Sequence, residues 1–416
     1  MISKEQNETL TKVGKGTPMG ELLRRYWHPV GISAENPGAF TRKVRLMGED
    51  LVLYRDKSSN LGLISETCPH RRTSLSNAII ECEGIRCPYH GWHYNAEGHC
   101  LDQPNEPDDS TFKNRIQVSA YPVMEVGGLF FAYLGPLPAP EFPMYDLFAE
   151  TNVARTIGHS DIPVNWLQIM ENSLDPVHVE WLHGHFFEQE SGDKSIPVFS
   201  KHHVKIAFDQ FEYGIVKRRL LEGQDEAESH DWRSGHPVVF PNLLLVGDGK
   251  SRQFQIRVPI DDNNTYHIWY NCFFPEGDRI VPENFPISHY NVPLRSEDGK
   301  YLIDNVDGQD IMIWISQGVV SDRTMEHLGT TDRGIILYRK LLMEQMSKIQ
   351  NGEDPMCVFR EPMDYIKLPV ETNRHGLKSG SLMKRFYTRD TRFCPNIEQI
   401  FDVVTDGRGE VGSPEN

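Results

Sequence analysis

No apolar run in this 416-residue sequence is long enough to cross a bilayer. Its most hydrophobic stretch, GGLFFAYLGPL at 127–137, is short and interrupted by Gly and Pro. The opening MISKEQNETLTKVGKG is polar and lacks an apolar signal core, so no leader is expected and the chain is placed in the cytoplasm, away from membranes. Basic residues are in deficit. With 43 Lys and Arg against 59 Asp and Glu, the net charge is −16, and no segment concentrates positive charge as nucleic-acid binding requires. Cysteine is scarce as well: seven scattered residues, an odd number, do not make a disulfide framework in a chain of this size. No Gly-x-Gly-x-x-Gly follows a strand pattern and no flavin site is visible, so the chain is not expected to oxidise NADH itself. There is no internal repeat and no low-complexity tract.

What is present can fill real cores: 38% of residues are hydrophobic and 10% aromatic, enough for two or three domains. From about residue 42 to 133 short β segments follow one another (KVRLM, LVLYR, LGLIS, RIQVSAYPVMEV, GLFFAYLG), separated by Gly, Asn, Asp and Pro turns. This predicts a small all-β domain. The Pro-rich 135–143, GPLPAPEFP, cannot continue a central strand and reads as a linker, which gives domains of 1–140 and 141–416. The second opens on a helical run, NWLQIMENSL, and continues with alternating strands HHVKIAF, GIVKRRLL, NLLLVG, FQIRVPI and YHIWYNCFF. Residues 332–352 keep apolar positions at helical spacing and end on Gly, which predicts a long amphipathic helix. The fold class is α+β: an all-β domain, then an α+β domain with an antiparallel sheet flanked by helices.

Two cysteines stand out. TCPHRRTSLS places Cys68 and His70 one residue apart, and RCPYHGW places Cys87 and His90 two residues apart. Two thiolates and two imidazoles can hold a 2Fe-2S cluster with histidines on one iron, which raises its potential. Structural zinc also accepts Cys and His in pairs, but it commonly spaces ligands by two to four residues on a hairpin or helix, whereas these pairs sit on two separate loops of a β domain. The following Gly91-Trp92 fits close backbone approach and aromatic cover. Cys82 and Cys100 fit neither pair and are expected to be buried thiols. The residues CPHRR and CPYHGWHY resemble the Rieske 2Fe-2S domain.

After the helical run come Asp175-Pro176-Val177-His178 and then His183. Five residues advance an ideal α-helix by about 500°, roughly 140° off one face, so both histidines can reach one metal only if the helix ends or distorts between them. Pro176 stops the first helix, Asp175 can cap a new one, and His183-Gly184 reads as its exit. Two histidines and a carboxylate form the facial triad of non-haem Fe(II) oxygenases. Spacing alone leaves Asp304, Asp307, Asp310 and Glu326 as candidate carboxylates, and His185 as a competitor of His183.

The segment DNVDGQDIMIWISQGVVSDRTMEHLGTTDRGIILYRKLL resembles the C-terminal signature of phthalate-type aromatic ring-hydroxylating oxygenases of the Rieske non-haem iron class, alpha (oxygenase) subunits. The resemblance implies Asp310, of the Gln-Asp pair, as third iron ligand beside His178 and His183. It implies Cys68, His70, Cys87 and His90 as ligands of one Rieske cluster. Asp175 would bridge electron transfer from a neighbouring subunit's cluster, and Asn172 falls in the family's Asn-x-x-Asp-x-x-His pattern close to the iron. It further implies a homotrimer or stacked hexamer, and a separate reductase, carrying FMN and a plant-type 2Fe-2S domain, or a ferredoxin, passing on electrons from NAD(P)H.

On this reading the chain is a terminal oxygenase in aromatic catabolism, using O2 to hydroxylate a small aromatic substrate, with or without a carboxylate, as a ring-hydroxylating dioxygenase. A monooxygenase or O-demethylase uses the same ligands. A non-enzymatic Rieske electron carrier would need the first domain only. Trp166, Phe186, Phe187, Phe240, Phe254, Trp269 and Trp314 would suit an aromatic guest but equally suit a core, and Arg218, Arg219 and Arg257 would suit a carboxylate but equally a solvated strand face.

Overall fold

The computed structural model describes residues 1–191, 200–247, 251–370 and 391–405. Two short helices open the chain. α1 (Lys4–Thr11) starts on a capping box in which Ser3 and Gln6 satisfy each other's backbone N–H. α2 (Pro18–Leu23) starts on Thr17 with Pro at its first position. Both lie on the second half of the molecule: Val13 N–H donates to Asp262 Oδ1 at 2.8 Å, and Asn165 Nδ2 donates to Thr11 O at 2.9 Å.

The all-β domain contains β1 (Trp27–Ile32), β2 (Phe40–Leu46), β3 (Glu49–Arg55), β4 (Leu61–Ser65), β5 (Ile79–Ile80), β6 (Ile85–Arg86), β7 (His93–Tyr94), β8 (Cys100–Asp102), β9 (Val123–Val126) and β10 (Leu129–Tyr133). They form three sheets, ordered β2-β3-β4, β5-β6-β7-β8 and β1-β10-β9. Of the expected strand at 115–126 only Val123–Val126 forms one; Pro122 removes a ladder donor, and the residues before it make single bridges such as Ile64 with Ala120. β1 escapes sequence reading because Pro29 and Gly31 flank a register shift in it.

The second half contains α3 (Asp146–Ala149), β11 (Ala154–Ile162), α4 (Trp166–Ser173), a π-helix (Val179–Phe186), α5 (Phe187–Ser191), β12 (His203–Phe211), β13 (Gly214–Leu221), α6 (His230–Arg233), β14 (His236–Val239), β15 (Leu243–Gly247), β16 (Ser251–Pro259), β17 (Thr265–Phe273), β18 (Ser288–Asn291), α7 (Val306–Ser316), α8 (Arg333–Gln350) and α9 (Ile397–Val404). One eight-stranded sheet runs β12-β13-β14-β15-β16-β17-β11-β18, antiparallel except for the parallel pair β11 and β18. The five strands expected over 202–274 and the helix expected over 332–352 are all present. β11, β14, β18 and α7 carry no sequence signal strong enough to read, and α7 is apolar on most sides because it is buried.

One apolar cluster runs from Leu129 and Phe131 of β10 through Trp166 and Phe254 to Tyr338 and Leu342 of α8, so the two halves share a core. A second lies behind the Cys68 and Cys87 loops of the β domain, around Tyr54, Ile64, Trp92 and Tyr94. A third packs Trp269 and Trp314 with Ile400 and Phe401 of α9. Among the described residues no helix is long and apolar enough to cross a membrane.

Candidate functional site

The Cys68 and Cys87 loops are built alike. Arg72 N–H donates to Cys68 O at 3.0 Å and Gly91 N–H to Cys87 O at 3.1 Å, each closing a tight turn through a residue with positive φ, 64° at Arg72 and 75° at Gly91. A Cβ on Gly91 would lie 2.7 Å from Pro104 Cγ, so Gly is required there. Both thiols are buried, whereas His70 is exposed and His90 half-buried, their rings 4.5 Å apart. Trp92 stacks on His70 at 4.5 Å and 4°. Burial pushes the Cys87 thiol up, and the neighbouring Cys68 thiol adds to this, so a bound cation would favour its thiolate. Inward thiols facing solvent-side imidazoles are a donor set that fits a 2Fe-2S cluster with cysteines on one iron and histidines on the other.

Sequence reasoning missed Tyr94, whose hydroxyl lies 3.3 Å from Cys68 Sγ. Cys82 corrects an expectation: it is exposed in the turn between β5 and β6, while Cys100 is buried.

The second centre sits where α4 gives way to the π-helix. Asp175 does not cap that helix, whose N-cap position is His178; its Oδ1 accepts from Val177 N–H at 2.8 Å and fixes the turn ahead. Nor does the chain leave at Gly184. The helix runs on through Phe186, and its i→i+5 winding sets residues five apart side by side. The distortion that the spacing demanded is therefore a π-helix rather than a helix end. His178 and His183 rings stand 5.2 Å apart, and their Nε2 atoms lie 3.9 and 3.4 Å from Asp310 Oδ1 on α7. The three donor atoms fall within 4.8 Å of one another. Asp310 Oδ1 is buried with no hydrogen-bond partner, the condition of a carboxylate awaiting a cation. Burial pushes the Asp310 carboxyl up, but His183, His178 and Arg257 outweigh it and hold it below its ordinary value. These residues fit a divalent iron in a two-His, one-carboxylate set.

The rivals are engaged elsewhere. Asp304 pairs with Arg392, and Glu326 takes Arg339 through both oxygens at 2.7 and 2.8 Å. Asp307 is buried but stands outside the cluster of donors, and His185 is exposed against Trp181. Asp175 Oδ2 lies 3.7 Å from His178 Nδ1, beside it but beyond hydrogen-bond distance. Asn172 enters through its backbone, its carbonyl accepting from Asp175 N–H at 3.0 Å. Two unforeseen carboxylates brace the centre: Glu180 anchors the π-helix to His203 N–H at 2.8 Å, and Glu171 of α4 is buried between Arg323 and Arg339.

The sheet face beneath α7 is polar and buried. Lys217 is 8% exposed and Arg257 1%, and neither has a carboxylate within ion-pair distance among the described residues. Burial, with Arg219 adding, lowers the Lys217 ammonium to about 8 against the pull of Asp175 and Asp310. Arg257 is aimed by a ladder: Nη2 donates to Gln255 Oε1 at 2.6 Å, Gln255 Nε2 to Gln253 Oε1 at 2.8 Å, and Gln253 Nε2 to Asn271 Oδ1 at 2.7 Å. It is thus no solvated surface residue. Arg218 and Arg219 are already paired, with Asp209 at 2.6 Å and Asp231 at 3.0 Å. A buried polar atom left unpaired costs about 1–3 kcal/mol, and an unpaired buried charge more. Two such cations beside a cation site call for an anionic guest. Of the aromatics, Trp166, Phe240 and Phe254 are core.

The Rieske [2Fe-2S] domain family matches residues 26–122, and the LigXa C-terminal domain like family matches 296–368. The chain is 42% identical to the 5,5'-dehydrodivanillate O-demethylase oxygenase subunit of Sphingobium sp. strain SYK-6, over 91% of this chain and 89% of that one. It is 35% identical to the phenoxybenzoate dioxygenase subunit alpha of Ectopseudomonas oleovorans, over 85% and 88%. To the phthalate 4,5-dioxygenase oxygenase subunit of Pseudomonas putida it is 30% identical, also over 85% and 88%. Its fold is that of Pseudomonas putida CBB5 NdmA (TM-score 0.59, 20% identity, 84% of this chain and 100% of that one). It is likewise that of the oxygenase in the reduced complex between oxygenase and ferredoxin of carbazole 1,9a-dioxygenase (TM-score 0.58, 20% identity, 84% and 96%).

Proposed function

The chain belongs to the Rieske non-haem iron oxygenases as an oxygenase subunit with a 2Fe-2S cluster and a mononuclear iron, and from that premise we propose that it O-demethylates a methoxylated aromatic acid. When bound, the cluster supplies single electrons and the Fe(II) supplies the centre at which O2 reacts. Cys68, His70, Cys87 and His90 hold the cluster, and His178, His183 and Asp310 hold the iron. The observation that carries this assignment is the convergence of both Nε2 atoms on the orphaned Asp310 Oδ1.

Around these ligands the chain's own residues bind, orient and exclude water. Lys217 and Arg257 take the substrate carboxylate, and the buried sheet face keeps solvent from it. Asp175, beside His178 and partly exposed, links that ligand to the protein surface. The net reaction consumes the methyl ether, O2, NADH and a proton, and yields a phenol, formaldehyde, NAD+ and water. Electrons arrive from a separate protein, which we take to be an FMN and plant-type 2Fe-2S reductase or a ferredoxin. The exposed imidazole side of the cluster loops favours that docking, and favours delivery to Asp175 of another copy in a trimer or stacked trimers. NADH-fed chemistry is cytoplasmic, and we place the chain there, divided near residue 140 into its two domains.

Ring dihydroxylation is the second reading, favoured by the similarity to the phenoxybenzoate and phthalate enzymes. An electron carrier has no use for the triad. The test is anaerobic metal and sulfide analysis with product assay. His178→Ala with His183→Ala should remove the mononuclear iron and spare the cluster's sulfide. Formaldehyde from a methoxybenzoate supports demethylation, a dihydrodiol or catechol supports the second reading, and zinc without sulfide overturns both.

A further inference from the structure

Next to Arg257 lies a group of polar atoms that neither metal ligation nor carboxylate binding uses. His267 of β17, wholly buried, is the cross-strand partner of Arg257. Neither of its ring nitrogens has a hydrogen-bond partner among the described residues. Trp269 and Trp314 flank it, with ring centroids 4.1 and 5.3 Å away, and the indole N–H of each is also buried and unpartnered. Trp314 follows Asp310 by one turn of α7, about 6 Å along the axis, so this group adjoins the triad.

A core histidine ordinarily finds a partner, and this protein contains one: His28 is equally buried, and its Nε2 lies 2.7 Å from Leu23 O. His267 differs in having been left open. Burial, reinforced by Arg257, holds its pKa well below the ordinary value, so the ring is neutral and offers one donor and one acceptor. The two indoles only donate. The complement of this set is an uncharged oxygen that accepts and can also donate.

We propose that His267 is a specificity-determining residue that, with the indole N–H groups of Trp269 and Trp314, binds a ring-borne hydroxyl of the substrate, a phenol. The contact is separate from the carboxylate held by Lys217 and Arg257. It rests on the oxygenase reading for an aromatic guest beside the triad, but not on that guest being an acid.

The test is calorimetric binding of two probe pairs to the full-length, metal-loaded protein under argon: phenol against toluene, and 3- or 4-hydroxybenzoate against benzoate. The wild type should prefer the hydroxylated member of each pair by at least tenfold. His267→Phe should abolish the preference while leaving toluene and benzoate binding and the iron and sulfide content unchanged, and His267→Gln should restore part of it. Trp314→Phe, which removes the N–H donor with the five-membered ring and keeps a six-membered aromatic ring, should weaken the preference and covers the case in which His267→Phe does not fold. Absence of any preference in the wild type, or its survival in both His267→Phe and Trp314→Phe, overturns the proposal. Arg257→Met reports on the acid reading separately: it should weaken benzoates and spare phenol. If Arg257→Met changes nothing while His267→Phe abolishes the preference, the acid reading fails and this one stands.

Discussion

His183 Nδ1–H donates to Gln309 Oε1 at 2.7 Å, and Gln309 Nε2 in turn donates to Ile303 O at 2.7 Å. The second bond fixes the amide's orientation, so its oxygen must face the imidazole. His183 is thereby held with its unprotonated Nε2 toward Asp310, and the residue before one ligand sets the tautomer of another.

Gln309→Leu removes that acceptor while leaving all three ligands in place. Iron affinity should fall about 10- to 100-fold, read by competition with a chelator, with acid-labile sulfide unchanged. Unaltered iron retention would show that the π-helix alone orients His183.

Lys217 makes anion binding pH-dependent. Its charged form attracts a carboxylate, so benzoate affinity should fall as pH rises through about 8, and Lys217→Met should flatten that profile. Arg219, Asp175, Asp310 and Arg257 face the same ammonium and set its starting value. Stability runs the other way. The unfolded chain keeps this proton up to the ordinary value of 10.5, so between about 8 and 10.5 the unfolded state binds more protons and this group's contribution to stability rises with pH.

Tyr94→Phe deletes the hydroxyl beside Cys68 Sγ. A hydrogen bond to a cluster sulfur stabilises the reduced, more negative state, so the variant's reduction potential should be lower, measured by redox titration followed by EPR. Cluster content should not change.

Glu171 is fully enclosed, with Arg323 Nη2 at 2.7 Å and Arg339 Nε at 2.6 Å. Removing it in Glu171→Ala leaves two buried guanidiniums facing each other. The cost should be about 3–5 kcal/mol, seen as a large fall in Tm, with loss of the α4 to α8 brace behind the π-helix.

Much of this site was legible in one dimension because metal chemistry restricts both residue type and spacing. Cys68, His70, Cys87 and His90 lie in two short loops whose ligands must be close in sequence to converge, and His178 and His183 share one segment. The five-residue interval even demanded a distorted helix, since no ideal α-helix presents both rings to one metal. The strands from 202 to 274 could be read because their apolar and polar residues alternate, and the helix over 332–352 because one face is apolar.

What remained hidden depends on contacts between distant segments. Asp310 was separable from Asp304, Asp307 and Glu326 only by resemblance, because which carboxylate faces the histidines is decided by how α7 packs across the chain. β1 and most of 115–126 were misread where Pro and Gly break local patterns that partner strands tolerate or interrupt. Burial of Arg257, pairing of Arg218 and Arg219, and the open nitrogens of His267 have no sequence signature at all, because alternation along a strand gives a residue's face but not what covers it. Residue type and spacing were enough to single out the Cys68, Cys87 and His178 segments as candidate donors; it took the packing of α7 against the π-helix, segments more than a hundred residues apart, to set Asp310 and Gln309 beside His183, and the pairing of neighbouring strands to bury Arg257 beside His267.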